Sequence, residues 1–520
     1  MVTSAMSCSS GGDYQNVLQQ NADRVNGFLE RHFWLCAAVF VAVYLTCSLI
    51  WDSRCKMWLD EFFTLFLARL RSPIEIVKAT MEGVDAAPPL YAVLVSWLLP
   101  LVRSQALAVR LPSTLGFCAM VVCVLAFCRR RMPAAYAFSA ALLAATATSY
   151  YATEGRCYGM VLFCAAGALL CWQRAVEGRA RSLSIVLLGL CLALMTALHY
   201  YSIFFLIPLG LAEGVRSYNT KKLDLPVAGA MGTALAVLAI HLPLLVAGRR
   251  YLPHFWPDSI ASWHHVLDFY VVFYSLIPIS AFLIALVVLG LVTEPSAGRL
   301  PRKLVLPMHE RVLVCVLAVM PFVVVVLAKY TTHVFLKRYV LWAVVGLGIL
   351  TASVLCAVAR GDSRVGLAVL ALLLSVSSAQ LWLHVRQTAI LRDSDAVFRE
   401  LQRLQDGSQC ILVSSERVFM EMSYYAAPQL SQRLIYPLSR GLELRYRGSD
   451  VNFFQMSALS RRTSLRIVDL DEFLQTNPRF LVAARREDYL PRYLREVGYS
   501  VAPVCAQSDP VLYQVEGATH

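Results

Sequence analysis

The 520-residue chain is poor in charge. Asp, Glu, Lys and Arg make up 16% of it and hydrophobic residues 58%, with a mean hydropathy of +0.58. A soluble globular domain carries about 25% charged residues, so an ordinary soluble fold is excluded and a polytopic membrane protein is expected. Acids are scarcer than bases, 34 against 47, which leaves a net charge of +13. Lysine is scarcer still, 7 against 40 arginines. The arginine clusters are short and fall between apolar runs, which points to positive-inside loops and anionic lipid, and away from nucleic acid. No CxxC pair is present among the 15 cysteines, so a zinc or redox motif has no support. Most cysteines lie inside apolar runs (Cys118, Cys123, Cys164, Cys191, Cys315), where they act as small hydrophobes. Cys410 and Cys505 fall in a polar tail and could pair if that tail is outside the cytoplasm. No nucleotide-binding glycine motif and no internal repeat is visible. The first 31 residues are polar, so no cleavable signal stands in the usual place and residues 32–51 are expected to be a retained span.

What is present is a series of apolar runs. They lie near 32–51, 111–128, 133–150, 157–172, 183–198, 202–215, 227–247, 270–292, 312–328, 339–358 and 364–385. A further run, "PPLYAVLVSWLLPLV" (88–102), opens on two prolines. The basic short loops 128–132, 173–182, 216–222, 298–303 and 359–364 share one side only if 88–102 does not cross. That predicts about eleven spans (thirteen if two segments split differently), with 88–102 re-entrant or interfacial. The expected fold class is an all-α polytopic membrane protein carrying a C-terminal small α/β extracytoplasmic domain. Residues 1–31 form a cytoplasmic tail, 32–385 the membrane domain with outer loops 52–110 and 249–266, and 386–520 the α/β domain, in which strand-like and helical patches alternate.

The polar residues inside the apolar frame gather on the outer side. "KMWLDEFFTLFLARL" (56–70) places Asp60 and Glu61 in the first turn of a helix whose apolar stripe is Leu59, Phe62, Phe63, Phe66 and Leu70. Alone, such a pair is a helix start favoured by the backbone dipole, as Asp471 and Glu472 are in a second "LDEF". The neighbours argue for more. "GVDAAPPLY" (83–91) adds Asp85, and Arg110 opens the next span. "ATEGRCY" (152–158) adds Glu154, Arg156 and Tyr158, and further outer turns add His199 and Lys337, Arg338 and Tyr339. Ionisable groups at membrane depth are costly and tend to be functional. A carboxylate can take a proton from an acceptor hydroxyl, and fixed Arg and Lys can hold a phosphate and stabilise it as it leaves. In a membrane that phosphate is lipid-borne, so glycosyl transfer from a polyprenyl-phosphate sugar fits without any nucleotide site.

These motifs in this order resemble the integral-membrane C-type glycosyltransferase superfamily, most closely the bacterial branch of the protein O-mannosyltransferase family. That branch includes the lipid A aminoarabinose transferase and the lipopolysaccharide-core galacturonosyltransferases. The family's acid pair matches Asp60 and Glu61. Its Asp followed by His-Pro-Pro-Leu-Tyr matches Asp85 through Tyr91, its span-opening Arg matches Arg110, and its Glu-x-Arg-x-Tyr matches Glu154, Arg156 and Tyr158. The family's His before the prolines is Ala87 here, so that imidazole's role is absent or moved to His199.

The resemblance implies a GT-C-like fold and an inverting transfer to a glycolipid, envelope glycan or protein acceptor. Asp60 would be the base or an acceptor-positioning carboxylate, Glu61 would orient the acceptor or its partners, and Arg110, Arg156, Lys337 and Arg338 would contact the donor phosphate. Asp85, Glu154, Tyr158, His199 and Tyr339 would bind substrate. His254 and Trp256 of the loop 249–266 would cap the sugar or belong to an interfacial aromatic belt. No cofactor is expected. Adjacent His264 and His265 are poorly placed to share an ion, so no metal is expected, though a divalent cation stays open. A bacterial inner membrane fits, and an endoplasmic reticulum location would use the same topology. The competing classes are a transporter or flippase of lipid-linked sugars, expected to show repeats or broken helices at the midplane, and an oligosaccharide ligase or polymerase.

Overall fold

The computed structural model describes residues 10–273, 306–391, 409–505 and 510–517. The apolar run 270–292 therefore lies largely outside the described residues.

The membrane domain is helical throughout. Its elements are α1 (Ser10–Arg31), α2 (Phe33–Arg54), α3 (Leu59–Ala68), α4 (Pro73–Glu82), α5 (Leu90–Leu98), α6 (Gln105–Cys128), α7 (Ala134–Ala152), α8 (Tyr158–Val176), α9 (Arg181–Leu198), α10 (Leu206–Thr220), α11 (Leu225–Ile240), α12 (Leu242–Gly248), α13 (Trp263–Phe273), α14 (Met308–Tyr330), α15 (Ala343–Val358) and α16 (Ser363–Leu391). Among the described residues, α2, α6, α8, α9, α14 and the first 18 residues of α16 are long and apolar enough to cross a membrane, and α11 with α12 adds a seventh if the 50° bend between them is one span. The protein is a multi-pass membrane protein. The run 88–102 becomes α5, nine residues long, and at 1.5 Å per residue that is far short of ~30 Å of hydrocarbon. Pro88 and Pro89 end the preceding extended segment and start this short helix.

Close packing is bought with small residues. Gly159 at the start of α8 sits so near α6 that a Cβ there would lie 2.0 Å from the Ser113 carbonyl oxygen, and one at Gly116 would meet the Met160 backbone at 2.8 Å. Only glycine permits that approach, and it sets α8 directly against α6.

The tail is a six-stranded sheet in the order β3-β2-β1-β4-β6-β5, with β1 (Ile411–Val413), β2 (Leu434–Leu438), β3 (Ile467–Asp469), β4 (Arg479–Ala484), β5 (Ser500–Cys505) and β6 (Val511–Glu516). The four strands β3, β2, β1 and β4 are parallel, and β6 and β5 are antiparallel. Helices α17 (Glu416–Tyr425), α18 (Arg440–Arg447) and α19 (Val451–Ser460) cross between them. This is the α/β domain expected from the alternating patches. Cys410 is a free thiol. Two strands, β4 and β6, separate β1 from the strand holding Cys505, about 14 Å at ~4.8 Å per step, beyond the ~7 Å limit for a disulfide. The Cys410–Cys505 pairing is therefore not made; the Cys505 side chain itself lies outside the described residues.

The tail also covers α3. Lys56 pairs with Glu421 at 3.1 Å, the Tyr425 hydroxyl accepts the Met57 N–H at 2.9 Å, and Phe62 meets the Tyr424 ring at 5.7 Å between centroids. Of the expected apolar stripe of α3, Phe62 and Phe63 are buried under protein, while Leu59, Phe66 and Leu70 are half-buried.

Candidate active site

The acid pair at the start of α3 divides into two different groups. Glu61 is fully buried, and both of its oxygens are saturated. Arg110 donates to it in fork geometry, Nε to Oε1 at 2.7 Å and Nη2 to Oε2 at 2.8 Å. The Gly155 N–H donates to Oε1 at 2.7 Å, and the Trp58 N–H to Oε2 at 3.0 Å, which caps the helix. Arg110 is equally spent: its remaining donors go to the carbonyls of Asp52, Cys55 and Lys56 at 2.9–3.0 Å. With five donors engaged, Arg110 has none left for a donor phosphate, and the expectation placed on it gives way to a scaffold pairing. Glu61 likewise has no oxygen free to orient an acceptor.

Asp85 and Arg156 form a second buried fork, closed by a short Arg156 Nη1–Asp85 Oδ2 pair and a 3.2 Å Nη2–Oδ1 bond. Arg156 Nη1 also reaches the Thr64 hydroxyl at 3.2 Å and the Asp60 carbonyl at 3.4 Å. Asp85 Oδ1 accepts the Ala87 N–H at 3.0 Å, so the residue in place of the family histidine contributes backbone only.

Between these two anchors stands Asp60, with 18% of its side chain exposed. Arg338 Nη1 lies 3.4 Å from its Oδ2. Arg338 comes from the single 3-10 turn Lys337–Val340, and its Nε is buried without a partner. Burial pulls the Arg338 pKa down, and Tyr158, then Asp60, more than offset it, so its guanidinium stays charged. Glu154, in the turn between α7 and α8, is buried with neither oxygen hydrogen-bonded. Burial first, and the nearby Asp60 charge second to the opposing pull of Arg338, push its pKa up to about 8. His199, at the end of α9, is buried and packed against Tyr339 (5.2 Å), Tyr158 (6.0 Å) and Tyr201 (6.1 Å). Burial, then Arg338 and Arg156, lower its pKa to about 3, so it is neutral. Lys337 is exposed.

The structure thus brings Asp60, Glu61, Asp85, Arg110, Glu154, Arg156, Tyr158, His199, Arg338 and Tyr339 into one connected group. His254 and Trp256 fall elsewhere. His254 is exposed, with Nδ1 3.5 Å from Asp450 of the tail, and Trp256 packs on Phe255 at 4.8 Å. Neither makes a described contact with the Asp60 group. His264 and His265 are joined by Asp268, one helical turn on, and the three offer ligand atoms within 4.8 Å of one another, closer than adjacency in sequence suggested.

Sequence reasoning missed Thr64, Tyr201 and Asp52. Asp52 is fully buried at the end of α2, its Oδ2 accepting from Thr114 at 3.1 Å and its Oδ1 unpartnered. A charge directly after a long apolar run reads as a boundary residue, so nothing singled it out.

The helical frame, the short helices α3–α5 and the α/β tail make this a GT-C-like fold. Two solved structures share it, both of ArnT from Cupriavidus metallidurans. The apo form aligns at 14% identity and TM-score 0.56 over 93% of this chain and 98% of that one, and the form bound to undecaprenyl phosphate at 13% and 0.55 over 94% and 99%. No protein-family model and no curated protein matches the chain.

Proposed function

We propose that the protein is a membrane glycosyltransferase that moves a sugar from a polyprenyl-phosphate-linked donor to an extracytoplasmic hydroxyl, with inversion. The observation that carries this reading is the Asp60–Arg338 pair: a partly exposed carboxylate 3.4 Å from a partly exposed guanidinium, held between two buried ion pairs. The structural neighbour bound to undecaprenyl phosphate supports a lipid-phosphate donor. The acceptor oxygen attacks the anomeric carbon, the bond from that carbon to the phosphate oxygen breaks, and the lipid phosphate leaves with the electron pair. Asp60 takes the hydroxyl proton. Arg338, with Lys337 beside it and Arg156 behind it, stabilises the charge gathering on the phosphate. Glu61 and Arg110 hold α3 in place, and Asp85 fixes Arg156. Protonated Glu154, neutral His199, Tyr158 and Tyr339 line the sugar side. In this reading the N-terminus is cytoplasmic, 386–520 is extracytoplasmic, and the membrane is the bacterial inner membrane.

The test is transfer of radiolabelled sugar from polyprenyl-phosphate donors to crude envelope acceptor by purified protein in proteoliposomes. Asp60→Asn is expected to cut transfer by about 10²-fold or more, the usual range for a lost general base, with an unchanged melting curve. Transfer at the normal rate would remove Asp60 from the mechanism. Labelled lipid crossing the bilayer without transfer would favour a flippase.

A further inference from the structure

The tail domain holds a second polar cluster that the transfer reading does not use. Strand order reverses in its sheet: the chain goes from β1 to β2 and β3 on one side, then returns to β4 on the other. In open parallel sheets the crevice beyond the carboxyl ends of the strands at such a reversal is where ligands bind. Here those ends carry Glu416 after β1, the α18–α19 segment after β2, and Asp488 and Tyr489 after β4.

Several buried acceptors in this crevice have no donor. Glu443 Oε2, Asn452 Oδ1 and Asp450 Oδ1 are unpartnered, and their residues are 3%, 6% and 1% exposed. Arg447 Nη1 stands 3.4 Å from Glu443 Oε2 but lacks hydrogen-bond geometry, and its 2.7 Å bond goes to Glu416 Oε2. The other atoms of the same groups are satisfied: Asn452 Nδ2 donates to Glu416 at 2.9 Å, and Asp450 Oδ2 accepts from Arg440 at 2.9 Å. At these three groups the shortfall is of donors; the buried Ser414 hydroxyl at the end of β1 is unpartnered too and can donate as well as accept. A buried acceptor left without a donor is costly, so several together mark a place where something donates to them. The walls are half-buried, not sealed. Tyr446 and Tyr489 stack there at 5.0 Å with 3° between their planes, and Arg447 lies over the Tyr489 ring. Four carboxylates (Glu416, Glu443, Asp450, Asp488) gather around two guanidinium groups (Arg440, Arg447), which disfavours an anion. The cluster also touches the outer loop of the membrane domain: the Asp450 N–H donates to the His254 carbonyl at 3.3 Å.

We propose that the tail carries a carbohydrate-binding site at the carboxyl ends of β1, β2 and β4, and that it takes a sugar bearing free hydroxyls and an amine. Hydroxyls and an ammonium supply the donors that Glu443, Asp450 and Asn452 lack. The site is distinct from the Asp60 group and does not depend on the transfer reading.

The experiment is calorimetric titration of the detergent-solubilised full-length protein with glucosamine, with N-acetylglucosamine and inorganic phosphate as comparators. Saturable glucosamine binding in the millimolar range is expected, about tenfold tighter than N-acetylglucosamine for one lost charge-assisted contact, and no phosphate binding. Glu443→Gln and Asn452→Ala are each expected to weaken it about tenfold, while Asp60→Asn leaves it unchanged. Should Glu443→Gln fail to fold, Asn452→Ala and the N-acetyl comparison carry the test. Absence of binding overturns the proposal, since water then meets the orphaned acceptors. Binding indifferent to both tail substitutions, abolished by Asp60→Asn, or stronger for phosphate than for sugar overturns it as well.

Discussion

Glu154 is a carboxyl group that burial keeps protonated through neutral pH. Its pKa rises from 4.5 to about 8 on folding, so between those values the folded chain holds a proton that the unfolded chain has released. Stability then falls as pH rises through that window. Glu154→Gln is expected to raise the melting temperature more at pH 8 than at pH 5, measured in detergent; an equal rise at both would mean the carboxyl is not buried in its acid form. His199 works in the opposite sense: its pKa falls from 6.5 to about 3, so its contribution to stability is present above 6.5 and is lost as pH falls toward 3. Two arginines of the site also separate. Arg110→Ala leaves Glu61 charged and buried, a loss of about 3–5 kcal/mol, and is expected to abolish folding or lower the melting temperature sharply. Arg338→Ala, partly exposed, is expected to keep the melt within a few degrees and cut transfer by about 10²-fold. If Arg338→Ala unfolded the protein and Arg110→Ala only slowed it, the roles assigned to them would be reversed.

At the scale of elements, the site depends on how α6, α8 and the two short outer helices meet. Gly155 gives its N–H to Glu61 and has no room for a side chain, since a Cβ would lie 2.4 Å from Val109 Cγ1. Gly159 faces rigid backbone, not a flexible side chain. Gly159→Ala is therefore expected to cost at least the ~1–3 kcal/mol of ordinary overpacking and to lose transfer together with stability. A variant that melts normally would show that α8 can move away from α6. The short α3 was visible as a helix start, and the paired use of its acids was not. Asp60 and Glu61 are neighbours in sequence, yet a helix turns them about 100° apart, one toward Arg110 and the other toward Arg338. Composition cannot say which way each faces.

At the scale of the molecule, the membrane domain and the tail hold each other through α3. All 13 described cysteines are free thiols, so no described cysteine braces the tail covalently. Reductant is expected to leave the melting curve unchanged, and a shift would mean a disulfide forms that the strand order argues against.

The sequence by itself determined that this is a multi-pass helical membrane protein with an α/β tail, because apolar runs and charge scarcity are local properties that survive without any knowledge of contacts. The order of Asp60, Asp85, Arg110, Glu154, Arg156 and Arg338 along the chain also marked out residues that the fold gathers into one group. Tertiary structure alone decided what each one does. Arg110 and Arg338 are the same residue type at the same kind of boundary, and only their partners separate a guanidinium with five spent donors from one with a buried Nε still free. The tail's orphaned acceptors were likewise invisible, since a hydrogen bond that is missing can be recognised only once every neighbour is in place.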